Sequence, residues 1–293
     1  MEARTEPDSP EKTIVDNRNI IPLVKVLEPE EAWKFWDGIP VRRLAVDFIS
    51  LQKRPALYGR ALSEGIHSAL GFAGEVTAVS VGKDWDLDKL DPERYATDAE
   101  SMGFDSIMTP DDYTYLKDPP DYRVHRILSS LEKARKVIEV VRDIEVIGTV
   151  KGTVTPEIKF SVERLVAEGL HTLAFPCSEF MEARRPIEPE FFVSVCKGTG
   201  TMPWLVGTNS LRAIKRLGAY RYSASGWCYA ALCGTVYGEK GWEPASDRFW
   251  CRHEACKQDR ATCPPYAVRA RHNIRRLLEE DRSLEQGKEI GKL

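Results

Sequence analysis

The fold follows from residues 122–152, which read YRVHRILSSLEKARKVIEVVRDIEVIGTVKG. Across residues 122–142 apolar side chains recur every three or four positions, the spacing of one buried helix face. Residues 145–150 then form a short apolar run, which is typical of a buried strand. A helix that leads directly into a buried strand is the repeating unit of a parallel α/β fold, because the crossover helices cover the sheet.

The same alternation extends from about residue 20 to residue 240. Eight strands with intervening helices in about 230 residues predict an α/β fold of the (β/α)8 TIM barrel type. A doubly wound sheet is less favoured, because no glycine-rich dinucleotide turn follows the first run. The eight predicted strands are residues 20–26, 44–48, 76–81, 106–108, 145–150, 172–175, 204–207 and 219–223.

The composition sets limits on the class of protein. The chain has 293 residues, of which 42% are hydrophobic, and a net charge of -3. It can therefore bury a sizeable core and is not a polycation overall. No apolar run is long enough for a membrane span, and residues 1–19 lack the hydrophobic core of a signal peptide, so we expect a cytoplasmic protein. We predict a flexible arm (1–19), a barrel (20–240) and a zinc-binding subdomain with a C-terminal helix (241–293).

In a barrel of this type, functional residues lie at the carboxyl ends of the strands. Asp47 lies at the end of one predicted strand, and Asp111 and Lys151 follow two others. Their convergence at one mouth predicts a catalytic set, although loop residues at such positions also serve as caps and turns. The remaining polar residues at predicted strand ends are Cys177, Glu179, Asn209, Ser223 and Ser225.

Cysteines concentrate near the C-terminus. Cys251, Cys256, Cys263 and His272 have the spacing C-x4-C-x6-C-x8-H. Three thiolates and one imidazole complete the tetrahedral shell of a structural zinc ion, so these four residues are the predicted Zn²⁺ ligands. His253 is an alternative fourth ligand. A disulfide between Cys251 and Cys256 is disfavoured in a reducing compartment. Residues 247–276 carry eight basic and three acidic residues, which favours phosphate contacts.

Taken together, these segments resemble the tRNA-guanine transglycosylases and their DNA-modifying relatives. Residues 104–112 are similar to the family segment that ends in Met-x-x-Asp-Glu, and residues 146–152 to its Gly-x-Val-Gln-Gly strand end. His272 and Asn273 match the terminal zinc histidine at a helix start. Three further segments match more loosely: residues 44–48, 204–207 and 218–225.

The resemblance implies a barrel with a Cys₃His zinc subdomain that replaces guanine by a 7-deazaguanine (preQ0-type) base. Carried over by position, Asp111 would bind the edge of the purine, because a carboxylate accepts its amide and amine hydrogens. Asp47 would act as general acid and base, and Gly152 would let the backbone approach the base. Other expected contacts of the base are Lys151, Cys177 and Gly207.

The chain departs from the family pattern at the nucleophile. Ser223 stands where the family has an aspartate, and residues 217–235 contain no acid. A serine hydroxyl attacks an anomeric carbon poorly unless a base activates it. Asp47 is an alternative nucleophile, with Asp111 or Glu179 as the acid. Another alternative is a catalytically impaired subunit that binds nucleic acid or an active partner.

The sequence also leads to expectations about the nucleic-acid substrate and the oligomeric state. The chain is short for a tRNA enzyme of this family, which favours DNA over tRNA as the partner. A homodimer is compatible with the sequence. A zinc-dependent hydrolase is disfavoured, because the metal ligands of such an enzyme should lie at strand ends.

Overall fold

The computed structural model describes residues 20–26, 30, 33–39, 41–80, 82–208, 217, 221–238, 241–245 and 264–290, with residues 264–265 and 282–290 described as helical backbone alone. The predicted arm (1–19) and the residues Cys251, His253, Cys256 and Cys263 lie outside these ranges, as does Asn209.

Eight parallel strands form one sheet in sequential order. The isolated bridge between Ile20 and Tyr222 brings the start of the sheet against its last strand, and the N–H of Ile21 donates to the Tyr222 carbonyl at 2.7 Å. The ring of strands is thus nearly closed, in agreement with the predicted (β/α)8 barrel. The strands are β1 (Leu23–Val24), β2 (Arg43–Asp47), β3 (Glu75–Val79), β4 (Ser106–Met108), β5 (Glu145–Thr149), β6 (Thr172–Pro176), β7 (Met202–Val206) and β8 (Arg221–Ser223).

Helices follow the strands as crossovers require. The long helix after β4 begins with a proline, which suits the first helical turn because its missing N–H needs no partner there. The described helices are α1 (Phe48–Gln52), α2 (Pro55–Glu64), α3 (Ile66–Leu70), α4 (Asp84–Leu87), α5 (Pro92–Ser101), α6 (Pro120–Val140), α7 (Thr155–Ala167), α8 (Ser178–Glu182), α9 (Ile187–Thr199), α10 (Gly226–Leu232) and α11 (Pro264–Ile290).

The buried face of α6 is narrower than the sequence predicts. Ile127, Ala134 and Val137 are buried, but Val124 is 48% and Leu128 is 50% exposed. The expectation of a continuous apolar stripe is wrong at these last two positions. Both side chains lie on the α7 side of the helix, along grooves that Phe160 also lines.

The apolar core has two main parts, because successive residues of a strand point to opposite sides of the sheet. The larger cluster packs the outer faces of the strands against the helices. The smaller one fills the barrel interior with Ile21, Leu23, Ala45, Val79, Met108, Ile147, Ala174, Trp204 and Val206.

Beyond the barrel, an antiparallel hairpin of β9 (Thr235–Gly238) and β10 (Gly241–Pro244) packs on α11. Asn273 ties the two together: its side chain accepts from the N–H of Tyr237 at 2.8 Å and donates to the carbonyls of Trp227 and Thr235, both at 3.1 Å. The hairpin therefore spans the boundary that we predicted at residue 240. Among the described helices, none is both long and apolar enough to cross a lipid bilayer.

Candidate functional site at the barrel mouth

A cavity of about 240 Å³ opens at the carboxyl ends of β3 to β6. This is the end of a barrel at which parallel strands present their loops, and where functional residues gather in this fold. Acidic, aromatic and backbone groups share its wall with one lysine. The lining residues are Gly82, Asp84, Leu87, Asp111, Asp112, Tyr113, Thr114, Tyr115, Val150, Lys151, Gly152, Phe175, Pro176, Ser178, Glu179 and Phe180.

Asp111 and Lys151 form an ion pair on this wall. The Lys151 Nζ atom lies 2.8 Å from Asp111 Oδ1, and the side chains are 8% and 25% exposed, respectively. The same Oδ1 accepts the N–H of Asp112 at 2.8 Å, while the N–H of Asp111 itself donates to Ser80 Oγ at 2.9 Å. Lys151, after β5, thus holds the carboxylate, and Ser80, after β3, holds the backbone of Asp111. The described hydrogen bonds of the carboxylate involve one of its two oxygens.

Asp112 attaches the loop after β4 to helix α6. It is fully buried and pairs with Arg126 at 2.5 Å and with Lys133 at 3.0 Å, both on α6. The hydroxyl of Ser129 adds a hydrogen bond at 3.2 Å. A buried carboxylate with two cationic partners fixes the end of β4 relative to α6. Among these residues, the sequence indicated Asp112 alone, because it stands where the Met-x-x-Asp-Glu segment of the transglycosylases has its second acid.

Two tyrosines of the same loop contact acids on or beside α4. The Tyr113 hydroxyl lies 2.9 Å from Asp88 Oδ2, and the Tyr115 hydroxyl lies 2.7 Å from Asp84 Oδ1. The hydrogen bond to Asp88 raises the pKa of Tyr113 to about 12, and the bond to Asp84 raises the pKa of Tyr115. In return, the Tyr113 hydroxyl holds the pKa of Asp88 below its ordinary value, with help from Arg126. Both phenols are protonated at neutral pH, as tyrosines ordinarily are, and each can donate its hydrogen to the neighbouring acid.

Glu179 and Gly152 form the other side of the cavity. Both carboxylate oxygens of Glu179 lie close to the N–H of Leu116, at 3.2 and 3.3 Å. Gly152 has φ +146°, and a Cβ atom there would meet the backbone nitrogen of Ile158 at 2.7 Å. Only glycine fits this position without strain. The close approach that the structure shows at Gly152 is to α7, on the wall of the cavity. The approach to a base that the resemblance implies stays a prediction.

Asp47 and Ser223 are placed differently. The Asp47 side chain is buried at the start of α1, where it accepts the N–H of Ile49 at 3.2 Å. Ser223 is 1% exposed, and its Oγ accepts the indole N–H of Trp204 at 2.9 Å. Both lie at carboxyl ends of strands, as predicted, but neither lines the cavity that holds Asp111.

The other two predicted base contacts also lie outside the lining. Cys177 is fully buried in the apolar core, and this burial raises its pKa to about 12, so its thiol is inert at neutral pH. Gly207 adopts φ +97° and packs against Ser178, which itself lines the cavity. Its N–H donates to the Ser223 carbonyl at 2.7 Å, which adds one hydrogen bond at the ends of β7 and β8.

The predicted zinc site falls mostly outside the described residues. Of its four predicted ligands, His272 is described, and its Nε2 lies 3.2 Å from the Tyr237 carbonyl oxygen. The expectation that His272 lies at a helix start is wrong, because α11 begins at Pro264. Within the described ranges, no group of three or more His, Cys, Asp or Glu residues is arranged to hold a metal ion. The zinc subdomain therefore remains a prediction.

Comparison with known proteins adds no family to this description. No protein-family model matches the chain, and a search of curated proteins returned no match.

Proposed function

We propose that this protein binds a guanine-type base at the barrel mouth and exchanges it at a guanosine position in nucleic acid, with DNA favoured over tRNA. The observation that carries the proposal is the Asp111–Lys151 pair on the cavity wall. An ionised carboxylate has about four acceptor sites, and the described bonds to Asp111 use two on one oxygen. The second oxygen retains the acceptor capacity that the N–H groups of a purine edge require.

The charges of the pair suit the polarity of that edge. Guanine presents a carbonyl oxygen beside two N–H donors. The Lys151 ammonium can donate to the carbonyl while Asp111 accepts from the donors, and hydrogen bonds to charged groups are stronger than neutral ones. A base without the carbonyl, such as adenine, would offer the ammonium no acceptor at that position, and Asp111 would stay its partner. This pairing therefore predicts selectivity for guanine and for 7-deazaguanine, which keeps the same edge.

The cavity size also supports a small ring system. Its 240 Å³ lies just below the range of roughly 300–1,000 Å³ that is usual for drug-sized ligands. A single flipped base matches this volume better than a whole nucleotide does. Flipping costs a few kcal/mol in a duplex, which contacts in the pocket must offset.

An exchange assay tests the function directly. The protein is incubated with radiolabelled guanine and either DNA or tRNA, and the label retained in the polymer is counted. We expect incorporation into DNA, with loss of both base binding and incorporation in Asp111→Asn. Asp143→Asn, an exposed aspartate at the opposite end of the barrel beside the start of β5, serves as the matched control. Equal incorporation by the Asp111→Asn variant would refute the assignment, and label in tRNA alone would change the polymer.

A specific observation favours a second candidate function, a subunit that binds nucleic acid without exchanging the base. The family nucleophile is replaced by Ser223, whose hydroxyl is buried against Trp204, and the described residues 221–238 include no acid. Binding of guanine and of nucleic acid without any incorporation of label would support this candidate over the enzyme.

A structural Zn²⁺ held by Cys251, Cys256, Cys263 and His272 belongs to the same proposal. Its support is the spacing of the four residues. Such an ion would stabilise the C-terminal segment. Metal analysis of the purified protein should find one zinc per chain, and Cys256→Ser should lower that content.

A further inference from the structure

One side of the cavity continues into an exposed surface of alternating lysine and aromatic side chains. Trp85 on α4 is 56% exposed, and the Nζ of Lys83 lies 4.7 Å from the centre of its ring. On the neighbouring loop, the Nζ of Lys117 lies 5.9 Å from the centre of the Tyr115 ring. We call Lys83, Trp85, Tyr115 and Lys117 the aromatic rim. It is continuous with the cavity, because Tyr115 lines it.

Five acids near this rim have described hydrogen-bond or ion-pair partners. Asp118 and Glu179 accept the backbone N–H groups of Tyr115 and Leu116. Asp84 accepts the hydroxyl of Tyr115, Asp86 pairs with Lys53 at 2.7 Å, and Asp88 contacts Arg126 and Tyr113. In contrast, the two rim lysines form no ion pair within 4.0 Å in the part of the chain that the structure describes; each lies near an aromatic ring instead. The rim therefore presents cationic groups whose charge is available to an external anion.

We propose that the aromatic rim holds the unpaired strand on one side of the target nucleotide, with a neighbouring base stacked on Trp85 and the flanking phosphates near Lys83 and Lys117. The inference rests on the proposed function, since it places the rest of the strand whose target base enters the cavity. A large exposed indole beside cations is the combination that single-stranded nucleic acid requires, because each base offers a flat face between two negative charges. A purely apolar partner would leave both ammonium groups without an acceptor.

The occupant is a DNA strand, and a short fluorescent single-stranded DNA that contains one guanine is the probe. Fluorescence anisotropy of the full-length protein gives the affinity, and the radiolabel assay gives the rate of exchange. Stacking of one base contributes roughly 1–3 kcal/mol, so we expect Trp85→Ala to weaken binding by about 5- to 150-fold. Trp85→Phe should restore most of the affinity. Lys83→Gln should reduce the salt dependence by about one phosphate contact.

Phe160→Ala is the matched control, because Phe160 is an exposed aromatic ring with a cation, Arg164, 5.3 Å from its centre, but lies on the outer face of α7. It should bind DNA like the unsubstituted protein. Unchanged affinity of Trp85→Ala for the DNA, or an equal loss of affinity in Phe160→Ala, would overturn the inference. Exchange by the parent protein would in that case still support the proposed function. Failure of the parent protein to bind or label any nucleic acid would remove both. Tighter binding of a matched RNA with the same dependence on Trp85 would keep the rim and change the polymer.

Discussion

Replacement of Asp112 by asparagine tests whether the buried ion pairs hold the candidate site in place. Asp112 is completely buried, while its cationic partners Arg126 and Lys133 have side chains that are 13% and 19% exposed. Removal of one member of a buried ion pair costs about 3–5 kcal/mol, because the remaining charge stays desolvated. Arg126 keeps a contact with Asp88 at 3.2 Å, so we expect the lower end of that range, about 3 kcal/mol.

Asp88→Asn is the control for this substitution, because it removes an acid that pairs with the same arginine. The Asp88 side chain is 46% exposed, and exposed ion pairs contribute only about 0.2–1 kcal/mol. Urea unfolding monitored by circular dichroism gives the free energy of unfolding of both variants. At about 2–4 °C per kcal/mol, the buried substitution should also lower the melting temperature by roughly 6–12 °C. A smaller loss in Asp112→Asn than in Asp88→Asn would refute the reasoning.

Three further predictions concern other residues. Gly152→Ala should destabilise the protein by at least about 2 kcal/mol and abolish base binding, because its Cβ would press on the backbone of α7 at a φ of +146°; denaturation and calorimetry measure the two effects. Ser223→Ala should cost about 1–3 kcal/mol, since the indole of Trp204 loses its acceptor, yet leave the exchange rate unchanged; a collapse of the rate would instead identify the serine as nucleophile. Tyr113→Phe should raise the pKa of Asp88 toward its ordinary value in an NMR titration. The pKa of Asp88 is lowered in the folded parent protein, so its ionised carboxylate stabilises the fold above about pH 4. This stabilisation is lost at lower pH, so the free energies of unfolding of the two proteins should become similar in acid.

Much of the barrel could be predicted from the sequence because strand and helix periods are local properties. Each of the eight predicted runs overlaps one of the eight parallel strands. Their ends differ by a few residues: the run predicted at 20–26 contains the two-residue strand Leu23–Val24, and that at 204–207 overlaps Met202–Val206. A strand ends where its hydrogen bonds to a neighbouring strand end. The sequence of one strand does not specify the register of that pairing, so the ends are not predicted from it.

The candidate site was predicted in part for the same reason. A polar residue after a strand must lie near the mouth, and the structure brings Asp111, Lys151 and Glu179 into the lining of one cavity. Position along a strand does not determine which group a side chain will meet. Asp47 caps a helix and Ser223 meets an indole because of the next elements along the chain and across the sheet. The contacts between tyrosines and the acids near α4 join loops that have no periodic pattern at all.

The two halves of the mouth thus differ in the surroundings of their polar residues. On the side of β2 and β8, the polar residues expected to break the glycosidic bond are buried and hydrogen-bonded within the protein. On the side of β4 to β6, carboxylates line an open cavity. If bases are exchanged, we expect the attacking group to come from the second half. Among the other acids of the cavity lining, Asp112 is buried between two cationic side chains and Asp84 accepts the Tyr115 hydroxyl. The described hydrogen-bond partner of Glu179 is the backbone N–H of Leu116, so Glu179 is the candidate. A carboxylate suits attack on an oxocarbenium-like carbon. Glu179→Gln should therefore keep guanine binding and lose both label transfer and any covalent protein–DNA adduct. An adduct that survives Glu179→Gln and disappears in Asp47→Asn would instead identify Asp47 as the attacking group.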